Sequence, residues 1–211
     1  MGRISGLYVI TDERLCPGRT HVDIARAALA GGAKIIQIRD KHASDRKFYD
    51  DALCLRELTE RTGALFFVND RVDIAAAVGA DGINIGQNDI PVEIARGLLG
   101  DNTIIGVSAD SLEQAVRAQD DGADYIGFGP VFVTNTKSDA GPVSGLEILR
   151  RVCHEVSLPV VAIGGIGLAN IGSVAASGAA CAAVVSAVAC AEDMAAATAD
   201  LIKEFQQFVG W

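Results

Sequence analysis

The sequence predicts an α/β chain folded as a single (β/α)8 TIM barrel spanning residues 1–211, and three observations carry that expectation. Short β-rich runs alternate with longer helical patterns along the whole chain. Eight such units fit into the 211 residues at about 25 residues each, and strand–helix–strand crossovers build parallel sheets that close at eight repeats. A phrase also recurs: AGGAKIIQI, VGADGINIG, DGADYIGFG and ASGAACAAVV each set Gly-Ala before a strand. There the Gly ends a helix and the Ala packs beneath the barrel. An open doubly wound sheet is the rival arrangement that the same alternation permits. No linker, charge run or low-complexity tract marks a domain boundary.

Taken in order, the strand candidates are Gly6–Thr11, Lys34–Arg39, Leu65–Asn69, Gly82–Gly86, Ile104–Ser108, Tyr125–Gly129, Val160–Gly164 and Ala183–Ser186. Each is short and rich in β-branched or aromatic residues, or is bounded by glycine. Helical segments lie between them, among them Asp45–Arg61, Leu112–Asp121, Gly145–Glu155 and the terminal Asp193–Val209. Their apolar residues recur three and four apart, and Phe48, Ala52, Leu55 and Leu58 make the plainest stripe.

Composition narrows the partners. Half the residues are apolar and 21% are charged, enough for a sizeable core and too apolar for disorder. Lys+Arg total 18 against Asp+Glu 27, a net charge of −9. That balance excludes nucleic acid and anionic membrane surfaces, which the chain repels at long range, but not a small anion that sees only its own pocket. From Val156 to Ala191 there is no charged residue. Pro159 and repeated glycines interrupt this run, so it reads as two buried strands with a small-residue helix between them rather than a membrane span. The N-terminus carries no signal peptide pattern, and the expected location is cytoplasmic. Five cysteines with no C-x-x-C pair read as reduced thiols, with Cys181 and Cys190 as small buried hydrophobes. No two of His21, His42 and His154 share a metal-ligand spacing.

A barrel directs attention to the residues just after each strand. Gln37, Arg39 and Lys41 alternate at the end of the second strand, so they share a face, and two cations with an amide make an anion clamp. A strand-end Arg paired with a neighbouring carboxylate is the plainer alternative. Asn69-Asp70 and Gln87-Asn88-Asp89 close the third and fourth strands. If those strands are neighbours, Asp70 and Asp89 either recruit a cation, with Mg2+ suited to carboxylate, amide and water ligands, or serve as helix N-caps; both readings stay open. After the sixth strand, a loop with Thr134, Thr136 and Lys137 is long enough to fold over a substrate. Gly164-Gly165 after the seventh strand and Val185-Ser186 at the eighth offer backbone N–H groups where this fold commonly holds phosphate.

The phrases LYVITD, QIRDK, FFVNDRVDIA, DGINIGQND, IGVSA, DYIGFGPVFVTNTK, IGGI and VVSAV, in order and one to each strand end, closely resemble the thiamine-phosphate synthase family. The resemblance implies condensation of hydroxymethylpyrimidine diphosphate with hydroxyethylthiazole phosphate, releasing pyrophosphate by a dissociative, Mg2+-assisted route. It assigns Gln37, Ile38, Arg39, Asp40, Lys41, Asn69, Ser108 and Lys137 to the pyrimidine diphosphate, with Arg39, Lys41, Ser108 and Lys137 as catalytic groups. It gives Asp70 and Asp89 to Mg2+, and Thr134, Asn135, Thr136, Gly165, Val185 and Ser186 to the thiazole phosphate. The fourth strand departs from the family, with Asn84 in place of a His, a change expected to be structural. A thiazole-phosphate tautomerase of the same barrel family and a non-catalytic phosphate-metabolite-binding barrel are the alternatives. The partners implied are small phosphorylated substrates. Oligomeric state stays open, a homo-oligomer included.

Overall fold

A computed structural model of the chain describes residues 4–134, 136 and 141–208. The strands are β1 Gly6–Thr11, β2 Ile35–Ile38, β3 Leu65–Asn69, β4 Gly82–Ile85, β5 Ile104–Ala109, β6 Tyr125–Phe128, β7 Val160–Ile163 and β8 Cys181–Val184. The helices are α1 His21–Ala30, α2 Asp45–Thr62, α3 Val72–Val78, α4 Val92–Leu99, α5 Leu112–Asp120, α6 Gly145–Glu155, α7 Ile171–Ala175, α8 Ser186–Ala189 and α9 Met194–Phe208. All eight strands pair in parallel in chain order, and β8 returns to β1, so the sheet is closed and the doubly wound alternative falls. Among the described residues no helix is long and apolar enough to cross a membrane.

Local chemistry accounts for where the elements begin and end. Thr20 and Asp23 form a reciprocal capping box at the start of α1, and Ser44 and Ser111 accept from backbone N–H groups at the starts of α2 and α5. The Gly-Ala phrase closes helices as expected. Gly32, Gly79, Gly122 and Gly178 take φ of 96°, 63°, 89° and 92°, the left-handed region that a side chain disfavours. The amides of Ala33, Ala80 and Ala123 then reach back to the carbonyls of Ala28, Ala75 and Ala118 at 3.0 Å, satisfying groups a helix end leaves open.

Two expectations need correction. The eighth strand is Cys181–Val184, not 183–186, because Cys181 pairs with Gly6 and the backbone turns at Val185 into α8. Its Cys-Ala-Ala start has too little β preference to be read as a strand. Nor are all the cysteines reduced: Cys16 and Cys190 form a disulfide across 174 residues of sequence, and Cys190 is exposed rather than buried. Barrel closure brings the segment after β1 beside the segment after α8, a proximity that local spacing does not encode. Cys181 is a buried free thiol, as expected.

Strand alternation separates two cores. Leu7, Val9, Ile36, Ile38, Phe66 and Val68 face outward and pack under the helices. Tyr8, Ile10, Ile35, Phe67, Ile104, Tyr125, Val161 and Ala183 face inward and fill the barrel. The bottom of the interior is plugged by three rings: Tyr8 and Phe67 lie 5.4 Å apart by centroid, Phe67 and Tyr125 5.8 Å, and Tyr8 and Tyr125 6.3 Å. Such pairs contribute about 0.5–1.5 kcal/mol each beyond burial. Small residues make room for them, since a Cβ at Gly106 would sit 1.9 Å from Tyr125 Cζ, and one at Gly82 2.2 Å from Phe67 Cε1.

Gly106→Ala is therefore expected to destabilise by about 1–3 kcal/mol through overpacking, read as a melting temperature lowered by several degrees. Tyr125→Leu in the same chain recovers part of that loss, because the clash is with the ring. Additive losses in calorimetry would contradict this packing account.

Candidate active site

The inward face that is apolar at the bottom turns polar toward the C-terminal ends of the strands. Ile10 is followed by Asp12, Ile35 by Gln37 and Arg39, Phe67 by Asn69, and Gly106 by Ser108, each two residues further along the same face. These side chains open into a cavity of about 420 Å³, whose wall also includes Lys41, Asn84, Gln87, Asp89, Thr134, Thr136, Gly165, Val185 and Ser186.

The clamp at the end of β2 is assembled as the alternation predicts. Arg39 Nη1 lies 3.6 Å from Asp12 Oδ2, and Lys41 Nζ lies 3.5 Å from Asp70 Oδ2. Both separations exceed the 2.7–2.9 Å or so of a charge-assisted hydrogen bond, so both cations retain donors for an anion. The plainer alternative, an Arg beside a carboxylate, is present, and it does not saturate the cation. Ile38 and Asp40 do not join them. Ile38 is fully buried on the outer face of the strand. Asp40 Oδ1 accepts from the amides of His42 at 2.8 Å and Ala43 at 3.0 Å, outside the cavity wall. An unbroken five-residue assignment necessarily includes both faces of the strand end. Asn135 and Lys137 lie outside the described residues.

Asp70 and Asp89 meet as neighbouring-strand residues. Asp70 has a φ of 61° and is the one non-glycine among the described residues with positive φ. Its amide donates to Asn84 O at 2.9 Å, locking the turn that directs its carboxylate to the rim. Asp tolerates this conformation better than most residues, at a cost of about 1 kcal/mol or more. Asp89 Oδ2 accepts from Gly86 N at 2.6 Å within a tight turn. Neither carboxylate caps a helix, since α3 has Arg71 at its N-cap without a side-chain bond and α4 begins after Pro91. Burial, then the adjacent Asp89 carboxylate, raises the Asp70 pKa above its ordinary value, and Lys41 only partly opposes them.

Asn84 and Gln87 are visible in the sequence without a site role, and Asp12 is passed over there. Asn84 is more than a strand filler: its Nδ2 donates to Ser108 Oγ at 3.0 Å and its Oδ1 accepts from Tyr125 OH at 3.1 Å, so it orients the Ser108 hydroxyl. Gln87 Nε2 donates to Ser108 O at 2.8 Å. Asp12 could have been found, because it continues the inward face of β1 by two residues. The opposite wall is backbone. Gly165 has φ of 64°, and a Cβ there would lie 2.5 Å from Val133 O. Only glycine lets the β7 turn approach the segment after β6 this closely.

The raised Asp70 pKa has a consequence for stability. In an acid whose folded pKa is raised, the stabilisation is present below the unfolded pKa and is lost as pH rises through the folded pKa. Without divalent cations at neutral pH, Asp70→Asn should melt higher than the parent chain, by up to about 4 °C. Asn keeps the positive-φ tolerance, and the half-exposed Lys41 partner is worth little. The gap should close as pH falls through the ordinary aspartate range, and added Mg2+ should stabilise only the parent. Lower melting of Asp70→Asn at neutral pH would show that the two carboxylates do not repel.

Residues 7–188 match the family model described as thiamine monophosphate synthase. A thiamine-phosphate synthase of Chloroflexus aurantiacus is 52% identical over 195 residues, covering 92% of this chain and 90% of that protein. One of Methanocella arvoryzae is 51% identical over 202 residues, covering 96% and 95%. Among solved structures, thiamine phosphate pyrophosphorylase from Pyrococcus furiosus superposes with a TM-score of 0.89 at 47% identity, covering 99% of this chain and 98% of that one. The barrel, its rim and these matches together make the chain a member of the thiamine-phosphate synthase family of transferases.

Proposed function

We propose that this enzyme joins hydroxymethylpyrimidine diphosphate to hydroxyethylthiazole phosphate, giving thiamine phosphate and pyrophosphate. The observation that carries the reading is one cavity with Arg39, Lys41 and Asp89 on its β2–β4 side, Asp70 lying against Lys41 and Asp89, and the glycine-rich β7 and β8 ends on its other side. Each side suits a different phosphorylated substrate.

On the first side, Arg39 and Lys41 bind the diphosphate, while Gln37, Asn69 and Ser108 orient the pyrimidine. The bond between the pyrimidine methylene carbon and the diphosphate oxygen breaks, and its electron pair leaves with pyrophosphate. The electron-rich ring carries the resulting positive charge, and the thiazole nitrogen supplies the lone pair that forms the new C–N bond. No general base is required; the barrel's work is to position the nitrogen and to stabilise charge on the leaving group. Thr134, Thr136, Gly165, Val185 and Ser186 hold the thiazole phosphate; by resemblance Asn135 is assigned to it as well, and Lys137 to the pyrimidine diphosphate. Asp70 and Asp89 fit a divalent cation, since two abutting carboxylates with amides nearby are the oxygen-rich set it prefers. A Mg2+ ion bound by Asp70 and Asp89 would supply positive charge for the departing diphosphate. A tautomerase would have no use for this pair beside two cations. The substrates are charged metabolites that do not cross membranes, which fits a cytoplasmic enzyme.

Incubation of the purified protein with both substrates and Mg2+ should give thiamine phosphate, and chelation should suppress it; no product under either condition overturns the reading. Asp70→Asn should lower coupling at least about a hundredfold while leaving thiazole phosphate affinity nearly intact in calorimetry. Equal loss of both would mean that the two sides are misassigned.

A further inference from the structure

Behind the wall of the cavity, where the ends of β1 and β2 meet the start of α1, Glu13, His21 and Asp40 converge. One ligand atom from each lies within 4.8 Å of the others. None of the three side chains is used by the proposed reaction. His21 is fully buried, and its ring is oriented by Thr11, whose Oγ1 lies 2.7 Å from Nδ1. Thr11 Oγ1 also donates its one proton to Gln37 O at 3.3 Å. With that proton committed, Nδ1 is the ring nitrogen that donates to Thr11, and Nε2 is left facing the carboxylates.

Among the described residues, that Nε2 is the one buried side-chain polar atom without a hydrogen-bond partner. It faces Asp40 Oδ2 at 3.7 Å, too far for a hydrogen bond. A carboxylate oxygen facing Nε2 calls for positive charge between them, and a proton there would draw the two atoms to about 2.8 Å. A tetrahedral ion bonded to both at about 2.0–2.2 Å holds two such atoms roughly 3.3–3.6 Å apart, close to the spacing seen. The Thr11 contact on the opposite ring nitrogen is the support that metal-bound imidazoles commonly have.

The carboxylates are fixed and ionised. Glu13 accepts from the His21 amide at 2.9 Å and from Lys47 Nζ at 3.0 Å, and Asp40 accepts from the His42 and Ala43 amides. Burial pushes both carboxyls up, but these hydrogen bonds outweigh it and hold both below the ordinary range. Lys47 offsets part of the negative charge, and Asp51 shares it.

We propose that Glu13, His21 and Asp40 form a binding site for one d-block divalent cation of the Zn2+ class, separate from the Asp70–Asp89 pair. One nitrogen and two oxygen donors suit Zn2+ or Co2+ better than Mg2+. Asp40 lies between Arg39 and Lys41 in sequence but on the opposite face, so the ion fastens the β1–α1 segment to the back of the anion clamp. Its role is to position Arg39 and Lys41.

The test uses full-length protein stripped with chelator and carrying Asp70→Asn, so that the cavity pair is disabled. Titration with Zn2+ alone should give one site per chain, and Co2+ alone should give the intense visible absorption of tetrahedral coordination. Glu13→Gln and His21→Asn should each weaken binding more than about tenfold. Glu13 lies at the rim, so Glu13→Gln decides the matter even if His21→Asn does not fold. Absence of a saturable site, or affinity unchanged by Glu13→Gln, overturns the proposal. A thiolate-to-cobalt absorption band also overturns it, by placing the ion on a cysteine.

Discussion

Closing eight parallel strands forces their side chains to alternate between an enclosed interior and a surface covered by helices, and every feature of this molecule answers to that alternation. The interior is too narrow for a large residue at every position, so Tyr8, Phe67 and Tyr125 fill one level while Gly82 and Gly106 yield space beside them. Above this plug the same inward face becomes polar, and it is open to solvent only at the strand C-termini. The hydrogen-bonded line from Tyr8 through Tyr125 and Asn84 to Ser108 crosses from plug to rim. Packing below and orientation above are thus parts of one column of side chains.

The rim holds opposed charges at separations that leave them available. Arg39 and Lys41 have acidic neighbours too distant to saturate them, and Asp70 is crowded by Asp89 rather than relieved. Such a site is least comfortable when empty of ligands, and a dianionic group together with a divalent cation removes both mismatches at once. The net charge of −9 has little bearing on this, because burial and near neighbours dominate over distant, screened charges.

Much of this was legible in the sequence, and the reason is periodicity. Gln37, Arg39 and Lys41 were placed together by counting in twos, and the same counting explains why Ile38 and Asp40 fall behind the wall. The Gly-Ala phrase announced helix ends because only glycine takes the required φ cheaply. What escaped was non-periodic. Residues 16 and 190 are neighbours only once β8 meets β1, and Glu13, His21 and Asp40 come from a turn, a helix start and the wrong side of a strand end. The eighth strand was misplaced by two residues because Cys-Ala-Ala carries little local preference. Asn84 was recognised as unusual, but its contact with Ser108 depends on the β4–β5 register.

The junction of β1 with β8 is where the barrel's two ends meet, and it is stitched on its outer side. Cys16 is bonded to Cys190, and Arg19 Nη1 donates at 2.6 Å to the carbonyls of both Ala189 and Ala191. The stitch makes the chain a covalent hoop that encloses all of the barrel except β1 and the final helix. Closing so long a loop in advance removes about 5 kcal/mol of disorder from the unfolded chain in the loop-entropy account. A hoop also has no free end within it: a single cut in any rim segment, including the one that follows β6, leaves both fragments tethered across the junction and able to find each other again.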